Sequence, residues 1–312
     1  MIRLVNLIQN ENMKIYKRWR TWIMIILLAA LTIVMAYVIK QVSPDSTGDW
    51  RVKLEERVKQ SEDSLKDTPE FLRKQVEEQI AVDQEHLKRD IPPSDTTFWG
   101  GVNNASLLIV LVTIFTVIVA GEIVAGEFTW GTIKLLLIRP ASRAKILLSK
   151  YIASFLFALF MLLVLLLTSI LANGVLFGFN GGLTPYLYMN DKGTISEIPV
   201  VLHVLKTYGY QCVQLIMVVS LAFMISTVFR SASLAIGLSI FLMLIGPNIT
   251  PLLMRYDWGK YYLFANTDLT QYMNGIPNEG MSMGFSVAVL AGYFILFNVL
   301  SWFIFTKRDV AG

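Results

Sequence analysis

The chain is 312 residues long, 54% hydrophobic and only 16% charged, with a formal net charge of +4. A mean hydropathy of +0.55 is too high for an ordinary soluble domain of this length, so the composition points to a bilayer. The single Cys212 leaves no disulfide framework.

Along residues 1–21, Met1, Leu4, Val5, Ile8, Ile15, Trp19 and Trp22 recur at helical spacing, with Arg3, Asn10, Lys14, Lys17 and Arg18 elsewhere around the helix. This pattern predicts an amphipathic helix lying in the membrane interface. A frayed tail is the alternative, because Asn6, Asn10 and Asn12 weaken helix propensity. Six stretches then lack Asp, Glu, Lys and Arg altogether: 22–39, 102–121, 151–172, 208–229, 231–254 and 284–305. Each approaches or exceeds the roughly 20 residues that cross a hydrocarbon core. The expected fold class is therefore an all-α membrane protein with six transmembrane helices, the second span reaching 126. The first stretch is longer than a signal-peptide core, and Val42-Ser43-Pro44-Asp45 offers no cleavage site.

Residues 40–101 hold the main hydrophilic region, with 14 acids against 9 bases over 44–98. Leu54, Val58, Leu65, Leu72, Val76, Ile80, Leu87 and Ile91 form a heptad-like stripe interrupted at Thr68-Pro69-Glu70, which predicts a helical hairpin ending near Pro92-Pro93. It reads either as a partner platform or as a self-packed cap. The remaining connections are 127–150, 173–207 and 255–283, with a tail at 306–312. Gly246-Pro247 and Pro251 are expected to break the end of the fifth span, before a connection that is either partly re-entrant or a plain loop.

With the N-terminus inside, the cytoplasmic segments carry 13 lysines and arginines and the two short outer connections only four. The expected topology is multi-pass in the cell membrane of a bacterium, with both termini cytoplasmic and the hairpin outside. The basic balance is thus a membrane signature and calls for no nucleic acid. Membrane lipid is the surrounding partner.

Catalytic chemistry is absent from the pattern. His86 and His203, read as lying in the hairpin and an outer loop, make no metal motif. Ser239 lacks the nucleophile-elbow glycine, and Gly174 with Gly178 make one weak G-x-x-x-G. Gly126 and Gly131 have P-loop spacing, but Thr132 and Ile133 stand where Lys and Ser or Thr belong. No cofactor or metal is expected in the chain, and no ATPase site. Glu122 and Glu127 are read as flanking the second span, which leaves no midplane carboxylate for an ion-coupled carrier. Gln211, Gln214 and Ser220 are candidates for a polar pathway, with interhelical hydrogen bonding as the alternative.

The segment EFTWGTIKLLLIRPASRAKILLSK, 127–150, is the most informative. Thr132 to Ile138 make about two turns, clustering Ile133, Leu136 and Leu137 with Lys134 turned away, and Pro140 stops the helix. Such a helix can receive a push across the inner surface, or merely hold basic residues inside.

Glu127, Gly131, Thr132, the apolar patch Leu135 to Ile138, Arg139, Pro140, Ser142, Arg143 and Lys150 resemble the signature of type-2 ABC transporter permeases, and the six-span plan is similar too. The resemblance implies an exporter's transmembrane subunit that binds separate ATPase chains, which hold ATP and Mg, through this coupling helix. It also implies a second permease copy or a paralogue. On this reading Glu127, Gly131, Thr132, Lys134, Leu136, Leu137, Ile138, Arg139, Pro140 and Arg143 form the coupling set. The hairpin departs from the smallest members and shifts the expectation from simple drug efflux towards peptide handling, immunity or an envelope task. An ATP-independent carrier and a membrane scaffold or sensor are the other two classes.

Overall fold

A computed structural model describes residues 4–42, 50–66, 68, 70–94, 97–133, 141–179, 185–190, 193–273 and 280–307. The chain is an all-α membrane protein with six helices long and apolar enough to cross a bilayer. The first span is Trp19–Val42. The second joins Phe98–Asn104, a 3-10 turn Ala105–Leu108 and Ile109–Thr129. The third is Arg143–Phe177, the fourth Val200–Val228, the fifth Ala232–Leu253 and the sixth Met283–Lys307.

All the spans but the fifth exceed their charge-free stretches, because a helix does not stop where hydrocarbon ends. The third, at 35 residues, is about 52 Å long by helical rise, against a hydrocarbon core of about 30 Å. It starts at an N-cap, Ser142, whose side chain accepts from the Lys145 amide, and ends at Gly178, whose φ of 77° suits a residue without Cβ. Gly178 therefore serves as a terminator, and Gly174 receives the Phe179 ring where a Cβ would intrude.

The second span is the hub, packed on the third, fourth and fifth, while the first packs on the third. Ser226 on the fourth span donates to the Gly121 carbonyl at 2.7 Å and accepts from the Ala125 amide at 3.0 Å. A Cβ on Gly121 would meet the Ile236 backbone at 3.3 Å, so this glycine sets the approach of the fifth span. Ile23, Ile26, Ile33 and Val34 of the first span stay exposed, as side chains facing lipid do.

Several expectations are corrected. Pro247 and Pro251 do not break the fifth span, which continues to Leu253. In lipid, keeping a helix with missing amide bonds is cheaper than exposing a whole irregular turn. The following connection folds as a 3-10 turn Gly259–Tyr261, a short helix Leu263–Thr267 and a second 3-10 turn Leu269–Tyr272. Leu263 to Thr267 are all buried against the spans, so irregular backbone here is shielded by protein. The 173–207 connection contains an antiparallel pair, Pro185–Met189 with Ile195–Pro199. His203 lies in the fourth span rather than in a loop, stacked on Tyr186 at 3.6 Å between ring centroids.

The hairpin forms as Trp50–Ser64 and Glu70–Arg89. Trp50, Leu54 and Val58 are buried on the first helix, but among the described side chains of the second Asp83 and His86 are the buried ones, while Leu87 is only half-buried. The N-terminal helix is Leu4–Tyr16. Its packed face is Leu7, Glu11 and Ile15, whereas Val5 is exposed and Trp19 belongs to the first span.

Candidate functional site

The face that carries the N-terminal helix also carries the ends of the second and sixth spans and the start of the third. Glu127 is the third residue from the end of the second span, and Lys150 lies two turns into the third. Their helices bring the two side chains together: Lys150 Nζ donates to Glu127 Oε1 at 2.8 Å and to Glu11 Oε2 at 2.7 Å. Lys150 is only 1% exposed. An ammonium so buried is tolerated only because two carboxylates replace its water.

Lys14 closes the ring, reaching Glu11 at 2.9 Å and Glu127 at 3.0 Å. Two acids and two bases cancel formally, and both sides of each charge are occupied. Burial pulls the Lys14 ammonium down, but Glu11 and Glu127 outweigh it, so its pKa rises above the ordinary 10.5. Thr132 adds a short hydroxyl hydrogen bond to Glu127 Oε2, which pins the entrance of the 127–150 loop. Gly131, with φ of 69°, makes the turn between them.

Around this ring the other elements tie in. Arg18 donates to Glu122 at 3.0 Å and lies 4.8 Å over the Trp130 ring, and Arg20 of the first span pairs with the same Glu122. Thr129 accepts from the Ala232 amide at 3.2 Å and donates to the Arg230 carbonyl at 3.3 Å, which holds the link between fourth and fifth spans. Arg143 Nη1 donates to the Thr306 carbonyl near the end of the sixth span at 3.3 Å. All six spans thus converge on the two bases of one loop. A displacement of that loop moves a charge-locked framework rather than a single helix.

The structure places the expected coupling residues unevenly. Glu127, Gly131, Thr132 and Arg143 stand as described, and Ile133 is buried. Lys134, Leu136, Leu137, Ile138, Arg139 and Pro140 lie outside the described residues. Glu122 and Glu127 belong to the helix of the second span, 5% and 9% exposed, instead of flanking it. Lys14 is half-buried, with its ammonium turned to this ring. Sequence reasoning missed Glu11, which reads as polar-face residue but sits on the same helical line as Leu7 and Ile15 at spacings of four.

Ser220 is buried and shares a hydroxyl contact of 2.9 Å with Tyr151, which accepts from Asn298 at 3.0 Å. It is thus an interhelical link across the third, fourth and sixth spans. Gln211 and Gln214 are half-buried and make no side-chain hydrogen bond to a described residue.

Residues 81–311 match the family described as a protein of unknown function, DUF2705. The chain is also similar to two proteins of Bacillus subtilis strain 168. It is 41% identical to uncharacterized protein YhcI over 99% of this chain and 100% of that one. It is 31% identical to uncharacterized membrane protein YdbK over 70% of this chain and 85% of that one. The family match takes in five of the six spans, the 127–150 loop and Lys150, and on that coverage the chain belongs to the DUF2705 family.

Proposed function

We propose that the chain is the permease subunit of an ATP-binding-cassette exporter, driven by separate ATPase subunits that dock on loop 127–150. It works with a second permease, identical or paralogous, in the bacterial cell membrane, with both termini cytoplasmic. Cargo of the class of antimicrobial peptides, drugs or lipid-like molecules fits the reading. The chain supplies no ATP site, and ATP and Mg belong to the partner.

One observation carries the proposal: Glu127 and Lys150, at the two bases of the loop, are ion-paired at 2.8 Å and buried together with Glu11. A docking element needs a stiff base to transmit force, and this ring is stiff because breaking either contact of buried Lys150 strands charge in low dielectric. The carrier alternative gains nothing from the same site, since Glu122 and Glu127 are both engaged by cations near one membrane face.

Vesicles containing only this chain are expected to show neither ATP turnover nor gradient-driven uptake, and ATP-dependent cargo movement appears once the partner ATPase is added. Leu136→Asp or Arg139→Glu is expected to release the ATPase on co-purification while insertion stays intact. Arg143 is left out because its Thr306 contact gives it a second role. Gradient-driven transport by the lone chain overturns the proposal in favour of a secondary carrier.

A further inference from the structure

On the opposite face, the hairpin, the two-stranded sheet and the segment before the sixth span line a half-open cavity of about 580 Å³. That volume lies within the range of small-ligand sites. Its chemistry has three parts. The first is charge. Arg57 donates to both oxygens of buried Asp83, at 2.8 and 2.6 Å, so that pair cancels. Glu78 and Asp268 also line the cavity and make no ion pair among the described residues, which leaves it electronegative.

The second is an acceptor open to the cavity. His86, 6% exposed, lines the same cavity, and its Nδ1 lies 3.0 Å from the Ile91 carbonyl. A carbonyl only accepts, so Nδ1 carries a proton, and the uncharged tautomer with that proton has its lone pair on Nε2. Nε2 has no partner among the described residues. The third is backbone. Four consecutive residues, 186–189, border the cavity, whereas one face of a strand presents only alternate residues. The second strand occupies one edge of this strand, so the cavity meets the other edge, where a strand pairs with added chain.

We propose that this cavity binds a short extended peptide carrying a lysine side chain. The peptide main chain pairs along the edge of Pro185–Met189, and the ammonium is held by Glu78 and Asp268 with His86 Nε2 as acceptor. Nothing in this depends on the ATP-coupled reading of the opposite face.

The test is binding to the full chain in lipid nanodiscs, with acetyl-Leu-Lys-Leu-amide as probe. Replacing its lysine with glutamate, or methylating its backbone amides, is expected to weaken binding at least about tenfold, the loss of one charge-assisted or two neutral hydrogen bonds. Glu78→Gln is expected to do the same to the lysine probe, and Glu78→Asp to restore part of it. Asp268→Asn keeps the oxygen that caps Thr270 and removes only the charge, so it decides the matter if the Glu78 variant does not fold. Equal binding of the lysine and glutamate probes, or unchanged binding in both variants, overturns the proposal. Cadaverine binding as tightly as the peptide overturns its backbone part and leaves a site for small amines.

Discussion

Lys150 shows how much one side chain carries. Changing it to Met keeps the stem but removes the buried cation shared by Glu11 and Glu127 and leaves them only half-buried Lys14, and loss of one partner from a buried pair costs up to about 3–5 kcal/mol. The expected outcome is a large drop in the midpoint of unfolding in detergent, with Lys150→Arg far milder, and an unchanged midpoint would show that the ring is not a structural lock. Lys14 adds a pH signature. Its folded pKa is raised, so its contribution is fully present below the ordinary 10.5 and is lost only as pH rises through the higher folded value. Protection of the N-terminal helix from proteolysis is therefore expected to stay level from about pH 6 to about pH 9 and to fall in stronger alkali. Glu127 and Lys150 were legible as parts of a sequence signature. Glu11 was not, because a carboxylate on an amphipathic helix normally marks the wet face, and only its partners across the fold reverse that meaning.

At the scale of elements, apolar runs located every span, because lipid enforces helices wherever about 20 residues lack charge. Their ends were not legible. Ser142 caps the third span well before its apolar run starts, and cap chemistry of this kind recurs at many serines that begin nothing. The two prolines of the fifth span misled for a related reason: their cost is judged against water-filled alternatives that a bilayer removes. Gly246 beside them has a firmer role. A Cβ there would meet the Phe264 ring at 2.3 Å, so Gly246→Ala is expected to cost about 1–3 kcal/mol by overpacking. Thermal unfolding checks this, and Gly237→Ala, with open space around it, serves as the control. In the hairpin the heptad stripe correctly gave two helices, but it could not show that Asp83 would be buried, since its Arg57 partner is 26 residues away.

Across the whole molecule, the basic face and the hairpin lie at opposite ends of the spans, so orientation reduces to one experiment. Cysteine introduced at Lys66 is expected to react with an impermeant thiol reagent in intact cells and cysteine at Ser142 is not, while the reverse pattern inverts the topology and moves the peptide cavity to the cytoplasm. The buried ring also constrains how the chain is made. Glu11 and Glu127 leave the ribosome before Lys150 does, so through that interval Glu127 has half-buried Lys14 to pair with but not the buried cation that completes the ring. An acid in that setting is expected to hold the end of the second span near the headgroups until the third span enters beside it. A released fragment ending at Ala141 should accordingly leave the end of the second span open to protease, and one extending through Phe177 should close it. On that outcome the last-made charge sets the depth of a helix made earlier.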